Sequence, residues 1–288
     1  MSMIQVIQWS VPVEHADRAV GVLTAQTPHG WEEEQAGGTV FYRVHLVESA
    51  AARAVVQALE GRIPGAVVSR SEAEDKDWAL AWKEFFTPIA SGQRFMVLPP
   101  WLSDTDTEGR QAIVIEPRTA FGTGHHATTA LCLEAVSDLM DASRLDTSGA
   151  FLDLGTGTGI LGLACTLLGM TGLGLDIDPL AVENAAANRI LNNVPPEAMA
   201  LATGSLDALA PGRTFHLVLA NILANPLKAM ARDLAARVAP GGSLVLSGIL
   251  AEQAQAVAAA YRELGLEGPD VRTKGDGDIW SALIYSRP

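Results

Sequence analysis

Basic residues are scarce in this chain: 20 Lys and Arg stand against 33 Asp and Glu over 288 residues, a formal net charge of −13 at pH 7. A general nucleic-acid binder carries a basic footprint, so this balance argues against that class. It is compatible with a cationic substrate, although acidity also serves solubility alone. Cysteine is scarcer still. Cys132 and Cys165 both lie in apolar, helix-like contexts, too few for a disulfide framework or a cysteine metal cluster, and are expected to be buried and inert. The first ten residues contain no basic segment and no continuous apolar core, so no signal peptide is expected. Residues 154–175 carry no charge over 22 positions, about the length of a membrane span, but seven of them are Gly and four are Thr. The glycines cluster at both ends, which describes a turn, a buried helix and a second turn rather than a span.

That stretch is also the most informative one. An apolar run (Ala150, Phe151, Leu152) enters Asp153-Leu-Gly155-Thr-Gly157-Thr-Gly159-Ile-Leu-Gly162, and a second apolar run ends at Asp176-Ile-Asp178-Pro179. The pattern describes strand, tight turn, helix, strand, with the turn stripped of Cβ atoms so that a ligand can approach the backbone. The downstream carboxylate is placed to accept hydrogen bonds from a ribose diol. Two registers compete. Gly157-Thr-Gly159-Ile-Leu-Gly162 satisfies the dinucleotide pattern G-x-G-x-x-G, which is weak evidence alone. Two residues earlier, Asp153 with Gly155, Gly157 and Gly159 resembles the first motif of class I S-adenosylmethionine-dependent methyltransferases. In that family the turn packs on the methionine part of the cofactor and the acid helps hold its amino group. A carboxylate beside a pyrophosphate would be repelled, so Asp153 favours the second register.

The organisation is two domains joined by a linker, each domain with its own periodicity. Strand-like 4–9, helical 13–25, a hairpin of 31–35 and 39–47 around Gly37-Gly38, an alanine-rich helix 50–59 and a short strand 66–68 give βαββαβ. This order suggests a ferredoxin-like α+β domain over 1–75. A linker follows over 76–118, with an aromatic helix 77–86 and strands 93–98 and 112–115 flanking a polar loop. The third segment, 119–288, alternates strands (150–154, 172–176, 199–202, 215–220, 243–247) with helices (160–168, 180–191, 223–238, 252–264), and Gly241-Gly242 and Gly265 read as helix stops. This predicts a parallel α/β sheet of the Rossmann-like, seven-stranded kind. Segments 266–271 and 279–285 have no helix between them and must pair as a C-terminal antiparallel hairpin. That hairpin again favours a methyltransferase over a dinucleotide sheet.

Ligands of open α/β sheets bind beyond the carboxyl ends of the strands. Asp176 is the better ribose candidate, and Asp178 is expected to cap the helix at Pro179. Ser205 and Asp207 follow the third strand, on the adenine side. Asn221 ends the fourth, where its amide could accept a hydrogen bond from an amine, steady the cofactor, or cap the helix near Leu223. Phe121-Gly122-Thr123-Gly124-His125-His126 forms a loop whose amides could meet a ligand, with Thr128 and Thr129 behind it. Adjacent histidines diverge on a helix and no further ligand accompanies them, so capping is expected rather than metal binding.

These residues resemble the PrmA family, bacterial ribosomal protein L-eleven methyltransferases. The likeness runs through Asp77-Trp78, Trp82-Lys83, Phe86 and Pro88, then Phe121 to Thr129, Asp153 to Gly159 and Asp176 to Pro179. It continues in Ala220-Asn-Ile-Leu-Ala-Asn-Pro-Leu227 and Ser247-Gly-Ile-Leu250. The resemblance implies S-adenosylmethionine as cofactor, with contacts at Thr129, Gly155, Asp176 and Asn221, and an N-terminal domain that recognises the ribosomal protein. It implies N-methylation of lysine side chains and of the N-terminal amine. The segment between Thr129 and Gly155 is longer than usual, and the N-terminal domain diverges most. The expected protein is a cytoplasmic monomer with no membrane or direct nucleic-acid partner and no metal. The alternatives are a methyltransferase of another protein or small amine, a nicotinamide-dependent oxidoreductase using Gly157 to Gly162, and a non-catalytic ribosome-binding module.

Overall fold

The computed structural model describes residues 3–16, 19, 23, 32–46, 53, 55–57, 66–74, 86–117, 124, 126–275 and 277–288. The chain divides into two compact units, Met1–Phe86 and Thr87–Pro288. The helix expected at 77–86 lies, but for Phe86, outside the described residues.

In the first unit, strands β1 (Met3–Pro12), β2 (Glu32–Ala36), β3 (Thr39–Leu46) and β4 (Val67–Glu74) form one antiparallel sheet in the order β2-β3-β1-β4. With helical residues at Ala16, Ala19 and Leu23 and again at Val55 and Val56, the pattern is ferredoxin-like. Alternation along β1 and β3 turns Ile7, Trp9, Val11, Val40, Tyr42 and Val44 onto a buried face with Ala19, Leu23 and Val55. Strand β4 runs well beyond the expected 66–68, because its partner β1 offers a long ladder down to Met3↔Glu74. Its Ser-Arg-Ser stretch is exposed, as an edge strand allows, and so has no apolar signal.

The second unit opens with a three-stranded sheet, β5 (Ile89–Ser91), β6 (Phe95–Leu98) and β7 (Gln111–Val114). Strands β6 and β7 are parallel, and a single turn of 3₁₀ helix at Pro100–Leu102 begins their crossover. Helix α1 (Ala127–Asp141) then leads to the main sheet. Its seven strands are β8 (Ala150–Leu154), β9 (Thr171–Asp176), β10 (Met199–Thr203), β11 (Phe215–Asn221), β12 (Val238–Leu250), β13 (Glu267–Lys274) and β14 (Trp280–Ser286). Their order is β10-β9-β8-β11-β12-β14-β13. Every strand is parallel to the others except β14, which is antiparallel to both neighbours. The expected C-terminal hairpin is therefore present, with its second strand inserted between β12 and β13.

Helices α2 (Ile160–Leu167), α3 (Pro179–Leu191), α4 (Ala224–Ala229), α5 (Ala231–Ala236) and α6 (Ala251–Tyr261) complete the unit. One core joins α1 and α2 to Phe151, Leu217, Leu219, Val245 and Ile284; the other joins α4, α5 and α6 to Leu152, Val218, Leu244, Leu246 and Leu283. The central strands are buried on both faces, which is why they read as apolar runs. The helix expected over 223–238 is divided at Met230 and ends at Ala236. Val238 is drawn instead into pairing with Phe215, whose N–H donates to Arg237 O at 2.8 Å, and Gly241 and Gly242 fall within β12. Among the described residues no helix is long and apolar enough to cross a membrane.

Candidate functional site

Strand order reverses at β8, with β9 and β10 on one side and β11 onward on the other. The crevice beyond the carboxyl ends of β8 and β11 is the binding position that this topology creates. The turn leaving β8 places Gly155, Gly157 and Gly159 at φ of +73°, +54° and +83°, conformations that favour residues without a Cβ. Its amides are already engaged. Gly155 and Thr156 N–H donate to Leu175 O at 2.8 and 2.9 Å, and Gly159 N–H to Thr156 O at 2.7 Å. Gly157 N–H donates to Asp176 Oδ2 at 2.9 Å. A pyrophosphate cradle needs such amides free, and here one of them is occupied by a carboxylate. The dinucleotide register is disfavoured on that ground.

Asp153 lies beneath the turn, 1% exposed. Its Oδ2 accepts from Thr156 Oγ1 at 2.6 Å and from Gly162 N–H at 3.0 Å, so it ties the turn to the start of α2. Its Oδ1 is buried and has no hydrogen-bond partner. Burial pushes this carboxyl up to about 6; the Thr156 hydroxyl and the Gly162 amide pull the other way, and the charge of Asp176 adds to the rise. Thr156 itself fits because Gly174 on β9 has no side chain: a Cβ there would stand 2.8 Å from Thr156 Oγ1.

Asp176 ends β9 half-buried, and its Oδ1 accepts from Asp178 N–H at 3.0 Å. A carboxylate has about four acceptor positions, so two remain for a diol. Asp178 caps α3, accepting from Leu180 N–H at 2.9 Å, with Pro179 in the first turn. Ser205 precedes a short 3₁₀ turn, Leu206–Ala208, after β10.

Asn221 ends β11 with its Nδ2 donating to Thr129 Oγ1, a long bond of 3.4 Å, and its Oδ1 buried without a partner. Helix α4 starts later, capped at Leu223 by no side chain, so Asn221 is not its cap; Asn225 and Pro226 lie inside that helix. Thr129 is fully buried in the first turn of α1. His126 caps α1: its Nδ1 accepts from Thr128 N–H at 3.4 Å and meets Thr128 Oγ1 at 2.8 Å, with the ring edge-on to Trp280. Phe121, Gly122, Thr123 and His125 lie outside the described residues.

The arrangement fits a ligand that brings N–H donors. Asn221 Oδ1, at the end of β11, is an acceptor without a partner, whereas the unpartnered Oδ1 of Asp153 on the adjacent strand is enclosed beneath the turn. An amine or ammonium suits the Asn221 oxygen and a phosphate does not. Cys132 and Cys165 are buried, and burial pushes both thiols upward, Cys132 to about 12, so neither is a nucleophile at neutral pH.

Three supporting residues escaped the sequence reading. Thr156 holds Asp153. Asn188, fully buried on α3, donates to Thr158 O at 2.9 Å and accepts from Glu116 N–H at 3.0 Å. Asn192 then brackets Val114, accepting from its N–H at 2.8 Å and donating to its O at 2.6 Å. The spacing of Asn184, Asn188 and Asn192 on one helical face was the available signal.

Residues 14–287 match the profile of the family described as Ribosomal protein L11 methyltransferase (PrmA). A protein of that description from Pelobacter propionicus is 42% identical over 226 residues, covering 78% of this chain and 71% of the relative. One from Trichlorobacter lovleyi is 42% identical over 233 residues, covering 80% and 74%. Among solved structures, a ribosomal protein L11 methylase from Lactobacillus delbrueckii subsp. bulgaricus superimposes with a TM-score of 0.60 at 28% identity, covering 70% of this chain and 99% of the other.

Proposed function

The chain belongs to the ribosomal protein L11 methyltransferase (PrmA) family, and from that premise we propose that it transfers methyl groups from S-adenosylmethionine to amines of ribosomal protein L11. The observation that carries the chemistry is the buried, unpartnered Oδ1 of Asn221 at the switch point of the sheet. Lysine side chains and the N-terminal amine are the proposed acceptors, and the N-terminal unit is proposed to recognise the substrate.

Thr129, Asp176 and Asn221 would hold the cofactor around the turn of Gly155, Gly157 and Gly159, with Phe121, Gly122 and Thr123 proposed to close around it and Asp153 supporting the turn from below. Bound there, S-adenosylmethionine supplies an electrophilic methyl group. Asp176 would accept from the ribose hydroxyls with the lone pairs that do not hold Gly157 and Asp178. The acceptor amine must be neutral, and a lysine of pKa near 10.4 costs about 4–5 kcal/mol to deprotonate at pH 7. Enclosure in the cleft lowers that cost by disfavouring the ammonium form. Asn221 Oδ1 then accepts one amine N–H and aims the lone pair, and water carries the proton away.

The test is intact-mass analysis of ribosomal protein L11 after incubation with the protein and S-adenosylmethionine. Mass gains in steps of one methyl group are expected; no gain would leave the non-catalytic binding module as the better reading. Asn221→Ala is expected to lower turnover on the order of a hundredfold with cofactor affinity changed far less.

A further inference from the structure

Ser247-Gly-Ile-Leu250 has no role in the chemistry described so far. In the structure it forms a β-bulge: between β12 and β14 the register passes from Leu246↔Leu283 to Ile249↔Ser281, so β12 carries one extra residue. Gly248 lies in that bulge at φ +83°. A Cβ there would stand 2.5 Å from Ile222 O, 2.8 Å from Ile222 C and 2.9 Å from Ile222 N. The bulge glycine therefore rests directly against the peptide of the residue that follows Asn221. On the other side, a Cβ at Gly155 would collide with Ile222 Cγ2. Gly155 belongs to the cofactor turn and is itself at φ +73°. Two left-handed glycines from the ends of two different strands thus enclose one isoleucine, Gly248 against its backbone and Gly155 against its branch methyl. Ile222 is partly buried and packs against the core that contains Leu154, Ala220 and Leu246.

We propose that Ile222 is a positioning residue that couples the cofactor turn to Asn221, held between Gly155 and the bulge at Gly248. The proposal rests on the reading of Asn221 as the amine-facing residue. The backbone of Asn221 pairs with Ser247 of β12, but its side chain has one long hydrogen bond, to Thr129, and that bond alone does not fix an amide in a cleft. Ile222 supplies the missing restraint. Its peptide lies against Gly248 on the β12 side, and its Cγ2 methyl lies against Gly155 on the β8 side. The contact is made by Cγ2, a methyl that valine retains and leucine lacks. A residue present only to fill volume would be replaced better by leucine; a residue present for its branch is replaced better by valine.

The experiment compares Ile222→Val, Ile222→Leu, Ile222→Ala and Gly248→Ala in the full chain. Two readouts are needed: amide hydrogen exchange over 221–224 without ligand, and kcat with the dissociation constant for S-adenosylmethionine. Ile222→Val should match the parent in both. Ile222→Leu, Ile222→Ala and Gly248→Ala should speed exchange at 221–224 and lower kcat on the order of tenfold, with the dissociation constant within about twofold. If Gly248→Ala does not fold, the three Ile222 variants decide. Leucine matching the parent while valine behaves like alanine would overturn the proposal. So would unchanged exchange in all the variants, or a loss confined to cofactor affinity and melting temperature. Absence of methyl transfer by the parent would count against the proposed function, whereas the exchange readout tests the coupling without it.

Discussion

Asp153 is a carboxylate enclosed beneath the turn that it organises, and its environment sets a measurable pH dependence. Its pKa rises from an ordinary 3.8 to about 6, chiefly through burial. The folded state thus binds this proton more tightly than the unfolded chain. The resulting stabilisation is complete below about pH 4 and is lost as pH rises to about 6, a change of roughly 3 kcal/mol. Asp153→Asn is expected to flatten that part of the profile, read from urea unfolding at a series of pH values between 4 and 7. The resemblance to the first methyltransferase motif implied a place for Asp153 near the methionine amine. Its 1% exposure and its bonds to Thr156 and Gly162 come from the third dimension. Asn221 is the converse: its place at a strand end was legible, whereas its unpartnered Oδ1 depends on Thr129, far away in sequence.

Elements whose ends carry a sequence signal were easiest to read. Strands β8, β9 and β11 and helix α3 match their expected spans closely, since apolar runs, glycines and an Asp-Pro start mark their limits. The boundary between helix α5 and strand β12 was misplaced: Gly241-Gly242 read as the helix stop, whereas the pairing of Val238 with Phe215 already takes the chain into the sheet after Ala236. Helix α3 has a second function beyond covering the sheet. Through Asn188 it bonds both the glycine turn, at Thr158, and the chain leaving β7, at Glu116. Asn188→Ala removes both bonds from a fully buried position and is expected to cost about 2–3 kcal/mol. The urea midpoint should fall with the slope unchanged. Loss well below 1 kcal/mol would show that α3 docks without Asn188, through the Asn192 bonds to Val114 and apolar packing.

As a whole molecule, the chain comprises two units, each with its own apolar core. Such chains depart from single-transition unfolding, so calorimetry is expected to resolve two events. S-adenosylmethionine at about a hundred times its dissociation constant should raise the transition of the larger unit on the order of 5–10 °C and leave the other in place. NAD is expected to move neither, and a shift with NAD alone would return the oxidoreductase reading. The sequence by itself determined the fold class, the hairpin end of the sheet, the glycine turn and the family, because periodicity, glycine spacing and local motifs are properties of neighbouring residues. Tertiary structure alone decided that the turn amides are already engaged, that Asp153 faces inward, that Asn188 joins α3 to β7, and that Ile222 stands between Gly155 and Gly248. Each of those depends on atoms brought together from distant strands, and close packing, unlike periodicity, leaves no regular trace along the chain.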